Sequence, residues 1–230
     1  MFDVYINDKS CKELGILPIR RPNIPAPTKI YKEYDIPGRD GKLYEDTKTY
    51  DDIEITIDFN YISDKNKWHD VFRLCKKLFL NAKKLQLYDD IEYYHIIKKI
   101  IINTNERISM KIGKFSVTFT LDPYYYRISG IDKYDYKDVI FNNYDMSKPI
   151  YFIKGEGVCY LVVNGNEVKC NVGQNLTINT FLELSYREDG SLQNTAINGD
   201  YKDLYLIEGK NEISITEGFD LKIIPNWRCI

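Results

Sequence analysis

The chain has 230 residues, of which 43% are hydrophobic and 29% charged, with a formal net charge of -2. That length holds two small domains or one large all-β unit, and that mix is enough to bury a core and keep a charged surface. The near-balanced charge offers no basic face for specific nucleic-acid binding, and no run approaches the roughly 18 apolar residues of a membrane span.

The opening MFDVYINDKS lacks the basic-then-apolar pattern of a signal peptide. The five cysteines, Cys11, Cys75, Cys159, Cys170 and Cys229, are scattered and form no C-x-x-C pair. The expectation is a protein made in cytoplasm with reduced thiols. Its 20 tyrosines, with abundant isoleucine, favour strands.

In chain order, FDVYIN alternates and predicts a first strand. Pro18, Pro22, Pro25 and Pro27 then exclude helix and interior strand, so this stretch reads as an extended surface connector. KIYKEYDI and KLYEDTKTYDD flank a Pro-Gly-Arg-Asp-Gly turn and predict a polar hairpin, Gly38 and Gly41 taking the left-handed conformations. In DIEITIDFNYI, Ile53, Ile55, Ile57 and Phe59 share one face of a strand. SDKNKWHDVFRLCKKLFLNAK predicts the one helix, with Trp68, Val71, Phe72, Cys75, Leu78 and Phe79 on a single stripe. Ser63 or Asp64 is the expected cap and Asn81 the expected stop. KLQLYD, EYYHIIKKIIIN, RISMKIG and KFSVTFTLD continue the strands.

From Tyr124 to Lys137 the periodicity weakens, which marks a junction. Short strands follow at close intervals: DVIFN, KPIYFIKGEG, CYLVVNG, EVKCNVG, NLTINT, LELSYRED, KDLYLIEG, NEISITEG and FDLKIIPNW. Such spacing argues for a β-sandwich. The GEG of Gly155 to Gly157 reads as a turn. The expected division is a first domain over 1–132 and a second over 133–230.

The chain offers little chemistry. His69 and Cys75 lie about 240° apart around the helix, so they do not read as a nucleophile pair. His95 reads as a strand residue, and the acid pairs Asp51–Asp52 and Asp89–Asp90 as solvated strand ends. Arg20 and Arg21 read as a surface or interface pair, and Tyr124 to Tyr126 as a packed corner. Asn175 matches a glycosylation acceptor, a cue without meaning unless the protein is secreted. No P-loop, H-E-x-x-H, G-x-S-x-G or G-x-G-x-x-G is present. The reading is a non-enzyme with no catalytic residue, no metal and no cofactor.

A polar hairpin of this length is marginal alone and needs something to lie against. Three features in order bear on what that is: the early DIPGRDGKLYED, the FTLDPYYY that closes the first half, and the later series KPIYFIKGEGVCYLVVNG, LTINTFLELSYREDGSLQN and LIEGKNEISITEGFDLKIIPNWR. Together they resemble the distal tail proteins of tailed bacteriophages, the tail-tip hub of siphophages, over nearly the whole chain. The charge-rich hairpin departs from that pattern, and NNYDMSKP lacks the glycine expected at the junction.

The resemblance implies a mainly β fold: an N-terminal β-sandwich-like domain with one helix and a protruding hairpin, and a C-terminal galectin-like β-sandwich. It implies a homo-oligomer, a hexameric ring closed by the first domain. That ring would join the tail-tube protein to fibre, spike or baseplate proteins in the virion tail, assembled in the bacterial host cytoplasm. Asp35, Pro37, Gly38, Arg39, Asp40, Gly41 and Lys42, with Glu45 and Asp46 beside them, are then the expected subunit contact. The alternative is a carbohydrate-binding module using Tyr160, Tyr186, Tyr201 and Trp227, with Tyr205, for sugar or partner contact.

Overall fold

The computed structural model describes residues 2–64, 66–135 and 137–230. Antiparallel strands dominate, and the chain divides into two compact units, 1–125 (with residue 230) and 126–229.

In the first unit a sheet path runs Lys9–Ser10, Val4–Ile6, Lys84–Leu87, Tyr93–Ile102, Ile112–Leu121, Ile53–Ile62, Ile16–Pro18. Alternation explains which face is dry. Ile53, Ile55, Ile57 and Phe59 stand opposite Leu121, Phe119, Val117 and Phe115, and all eight are buried. The intervening pairs are polar: Thr56 and Thr118 share a hydroxyl hydrogen bond of 2.9 Å, and the Thr120 hydroxyl donates to Glu54 at 3.3 Å.

The helix, Trp68–Leu80, covers the dry face. Its expected stripe is the packed one: Cys75 and Phe79 are buried, and Trp68, Val71, Phe72 and Leu78 lie against the same core. Phe79 meets Phe59, Phe115 and Phe119 at ring separations of 4.9, 5.6 and 6.2 Å. Asn81 ends the helix as expected, but the start differs. The N-cap is Lys67, with no side-chain cap, and not Ser63 or Asp64. Ser63 instead continues the strand pairing, its N–H donating to the Lys111 carbonyl at 2.8 Å.

The second unit is organised by one long hairpin. Strand Ile150–Val163 pairs with Asn166–Asn179 along its full length, through a turn at Asn164 and Gly165 with φ of 53° and 84°. Positive φ at both central residues gives the twist that such two-residue turns need, and Asn-Gly is the favoured pair for it. Around this hairpin the sheet path runs Tyr134–Asp135, Asp220–Ile224, Ile150–Val163, Asn166–Asn179, Leu184–Tyr186. Val139–Asn142 pairs with Gly209–Ile215, which joins Ile150–Val163. The strands curl about a core that includes Tyr151, Ile153, Leu161, Val168, Val172 and Ile178.

Several short strands of the sequence reading merge here. KPIYFIKGEG and CYLVVNG form one strand, as do EVKCNVG and NLTINT. GEG is therefore strand and not turn. The reason is a long-range contact: a Cβ on Gly155 would lie 2.4 Å from Cδ1 of Phe219, so only glycine lets that ring lie across the strand. KDLYLIEG is no continuous strand either, because Tyr201–Leu204 is a 3-10 turn that aims the Leu204 carbonyl at the buried Tyr151 hydroxyl, 2.8 Å away.

Candidate functional site: the projecting hairpin

Strands Lys29–Tyr34 and Leu43–Tyr50 form a two-stranded sheet of their own, paired with no other strand among the described residues. Opposed residues include Lys32 with Glu45, Glu33 with Tyr44 and Tyr34 with Leu43, and the register shifts between Lys29 and Tyr31. Gly38 and Gly41 take φ of 81° and 76° at the tip, where a β-carbon costs conformational energy. Every residue from Tyr31 to Asp46 is exposed.

With no core of its own, the hairpin is held by side chains along its edges. Lys29 Nζ reaches Asp46 at 2.6 Å, and Lys42 Nζ reaches Glu33 at 2.5 Å. The Tyr34 hydroxyl donates to Glu45 at 2.6 Å, and the Thr47 hydroxyl to the Ile30 carbonyl at 2.7 Å. Tyr31 and Tyr44 meet edge to face at 6.4 Å. The bond to Asp46 raises the Lys29 pKa, and the bond to Glu33 raises that of Lys42. Asp46 is lowered, first by Lys29 and then by the Lys48 N–H. These pairs sit in water, so they set geometry more than stability.

At the base, the Asp51 N–H donates to the Thr28 carbonyl at 2.9 Å, Tyr50 packs edge to face on Tyr124, and Lys98 bonds Asp52 at 2.6 Å. The root thus belongs to the first unit, while the tip faces solvent. Pro37, Gly38, Arg39, Asp40 and Gly41 form this tip, with Asp35 and Lys42 at its two shoulders. Among the described residues, no ion pair engages Asp35, Arg39 or Asp40. A short charged turn between exposed Ile36 and Leu43 can meet a partner surface.

The aromatic candidates of the second unit are dispersed. Tyr160 is exposed on strand Ile150–Val163, and Tyr186 closes strand Leu184–Tyr186. Tyr201 and Trp227 pack against the core, and Tyr205 follows the 3-10 turn that holds Tyr201. No two of the five make an aromatic ring contact among the described residues; Trp227 instead lies 6.3 Å from Tyr144.

His69 and Cys75 are also apart. His69 is exposed against Trp68, whereas Cys75 is buried and burial pushes its thiol pKa up to about 11. Among the described residues no group of three or more His, Cys, Asp or Glu is arranged to hold a metal ion, and no helix is long and apolar enough to cross a membrane.

One exposed apolar feature runs against the sequence periodicity. Ile62 falls on the even, polar phase of its strand, and Leu74 lies off the helical stripe, yet both line a groove beside the helix. Their being out of phase was the available signal.

No family model and no curated protein matches the chain. A solved structure does: the crystal structure of the Dit protein (gp 19.1) of phage SPP1, described as a paradigm of the hub adsorption apparatus in phages that infect Gram-positive bacteria. The two align with a TM-score of 0.68 over 97% of this chain and 98% of that one, at 13% sequence identity. At that identity the likeness is one of fold, and across nearly its whole length this chain has the fold of the SPP1 Dit hub protein.

Proposed function

We propose that the protein is a non-enzymatic structural hub of the tail tip of a phage, prophage or phage-tail-like particle. Copies of the first unit close into a ring, taken as a hexamer, through the hairpin. The ring joins the tail tube to the baseplate or receptor-binding apparatus, and the second unit, read as a galectin-like sandwich, is displayed outside it. The protein then resides in the virion tail after assembly in the host cytoplasm.

The observation that carries this reading is the end-to-end fold likeness to a hub protein, with both chains covered almost completely. The detached hairpin supports it. A two-stranded arm exposed along its length gains little by projecting from a monomer, and a head-to-tail contact with a second copy supplies what it lacks. Modest contacts repeated around a closed ring then reinforce one another.

Native mass spectrometry of the purified full chain tests the proposal. A single closed oligomer, with rings visible by negative-stain microscopy, is expected. A species that stays monomeric at all concentrations, alone and with tail-tube protein added, overturns it.

A further inference from the structure

Beside the helix of the first unit lies an apolar groove of about 580 Å3, lined in part by Leu14, Ile62, Leu74 and Leu78, with Lys9 and Lys77 among its polar lining. Leu14, Ile62 and Leu74 are 51%, 65% and 68% exposed, a concentration of bare apolar surface that marks a contact site more than a monomer's skin. Among the described residues no carboxylate lines the groove.

We propose that this groove is the seat of the hairpin tip of a second copy of this chain. The inference rests on the assembly reading above and names the receiving surface. Three observations select the occupant.

The first is chemical match. The tip carries exposed Ile36 and Leu43, side chains suited to an apolar groove, and neither belongs to the core of the first unit. The second is charge. Lys42 is taken up by Glu33, which leaves two carboxylates, Asp35 and Asp40, against one guanidinium, Arg39. That acidic excess meets a groove whose charged groups are Lys9 and Lys77.

The third is placement. The hairpin ends at Tyr50, just before strand Ile53–Ile62, and the groove holds the last residue of that strand. Ten residues of strand span roughly 30 Å. Arm and seat therefore lie at opposite ends of one strand, the arrangement a head-to-tail contact needs.

The test uses the full chain, with assembly read by native mass spectrometry and light scattering, and folding by circular dichroism. Leu74→Glu changes an exposed position, so the fold is retained while a charge enters the groove. It is expected to shift assembly toward monomer by about tenfold or more. The pair Lys9→Glu with Lys77→Glu, and separately the pair Asp35→Lys with Asp40→Lys, are expected to do the same. Combining all four charge reversals in one chain restores assembly, because arm and seat are again opposite in sign.

Leu74→Glu assembling like the unchanged protein overturns the inference and leaves the assembly reading intact. So does a fourfold variant that stays monomeric, since the groove's occupant is then not the hairpin. An unchanged protein that never assembles removes the assembly reading, and this inference with it.

Discussion

His95 lies on strand Tyr93–Ile102, 2% exposed, with its ring 4.3 Å from that of Tyr125. Burial lowers its pKa from 6.5 to about 4, outweighing a backbone contact with Tyr124 and the charge of Asp122, which both act upward. Between these values the unfolded chain binds a proton that the folded chain does not, so stability falls as pH drops from 6.5 toward 4. The full effect is about 3 kcal/mol. Urea midpoints of the first unit should decline across that window, and His95→Phe should flatten the decline. Gly113 presents a different constraint. It stands opposite Tyr61, and a Cβ there would lie 2.2 Å from the ring's Cζ. Tyr61 is fully buried and stacked near Phe72, so the ring has nowhere to move. Gly113→Ala is expected to cost about 1–3 kcal/mol in a denaturant titration. The strand placement of His95 was readable from its tyrosine- and isoleucine-rich run, but the partner of Gly113 lies 52 positions away in the sequence and was not.

At the scale of elements, the hairpin is the part whose removal separates folding from assembly. Deleting Gly38 to Gly41 removes tip residues that are wholly exposed and outside both cores. The expected outcome is an unchanged circular dichroism spectrum, stability within about 0.5 kcal/mol of the parent, and no rings by negative-stain microscopy. Normal rings from this variant would refute the role given to the hairpin. The hairpin itself was legible, because two extended, charge-rich runs around a Pro-Gly and Asp-Gly cluster have few other folds open to them. The helix stripe was legible for the same kind of reason, since 3.6 residues per turn stamps its period on the apolar positions. The helix start was not, because Ser63 is drawn into pairing with Lys111, which a local cap rule cannot see.

On the scale of the molecule, two separate hydrophobic cores stand out, one around Phe59, Phe79, Phe115 and Phe119, the other around Tyr151, Leu161, Val172 and Ile178. Each lies within one of the two compact units. Calorimetry of the full chain should therefore show two unfolding steps and not one. Lowering the pH from 6.5 toward 4 should move the step of the first unit, which contains His95, and leave the other nearly in place. A single cooperative transition shifting as a whole would contradict this.

The sequence alone determined the mainly β character, the single helix and its buried face, and the presence of an early charged hairpin. These follow from local backbone geometry, in which the spacing of apolar residues reports the element that carries them. Tertiary structure decided what depends on distant neighbours. It made GEG part of a continuous strand by laying Phe219 over Gly155, and it scattered the aromatic residues of the second unit. It also set Ile62 beside Leu74 to open an apolar groove. Such outcomes arise from packing between segments far apart in the chain, and no period in a one-dimensional pattern encodes which segments will meet.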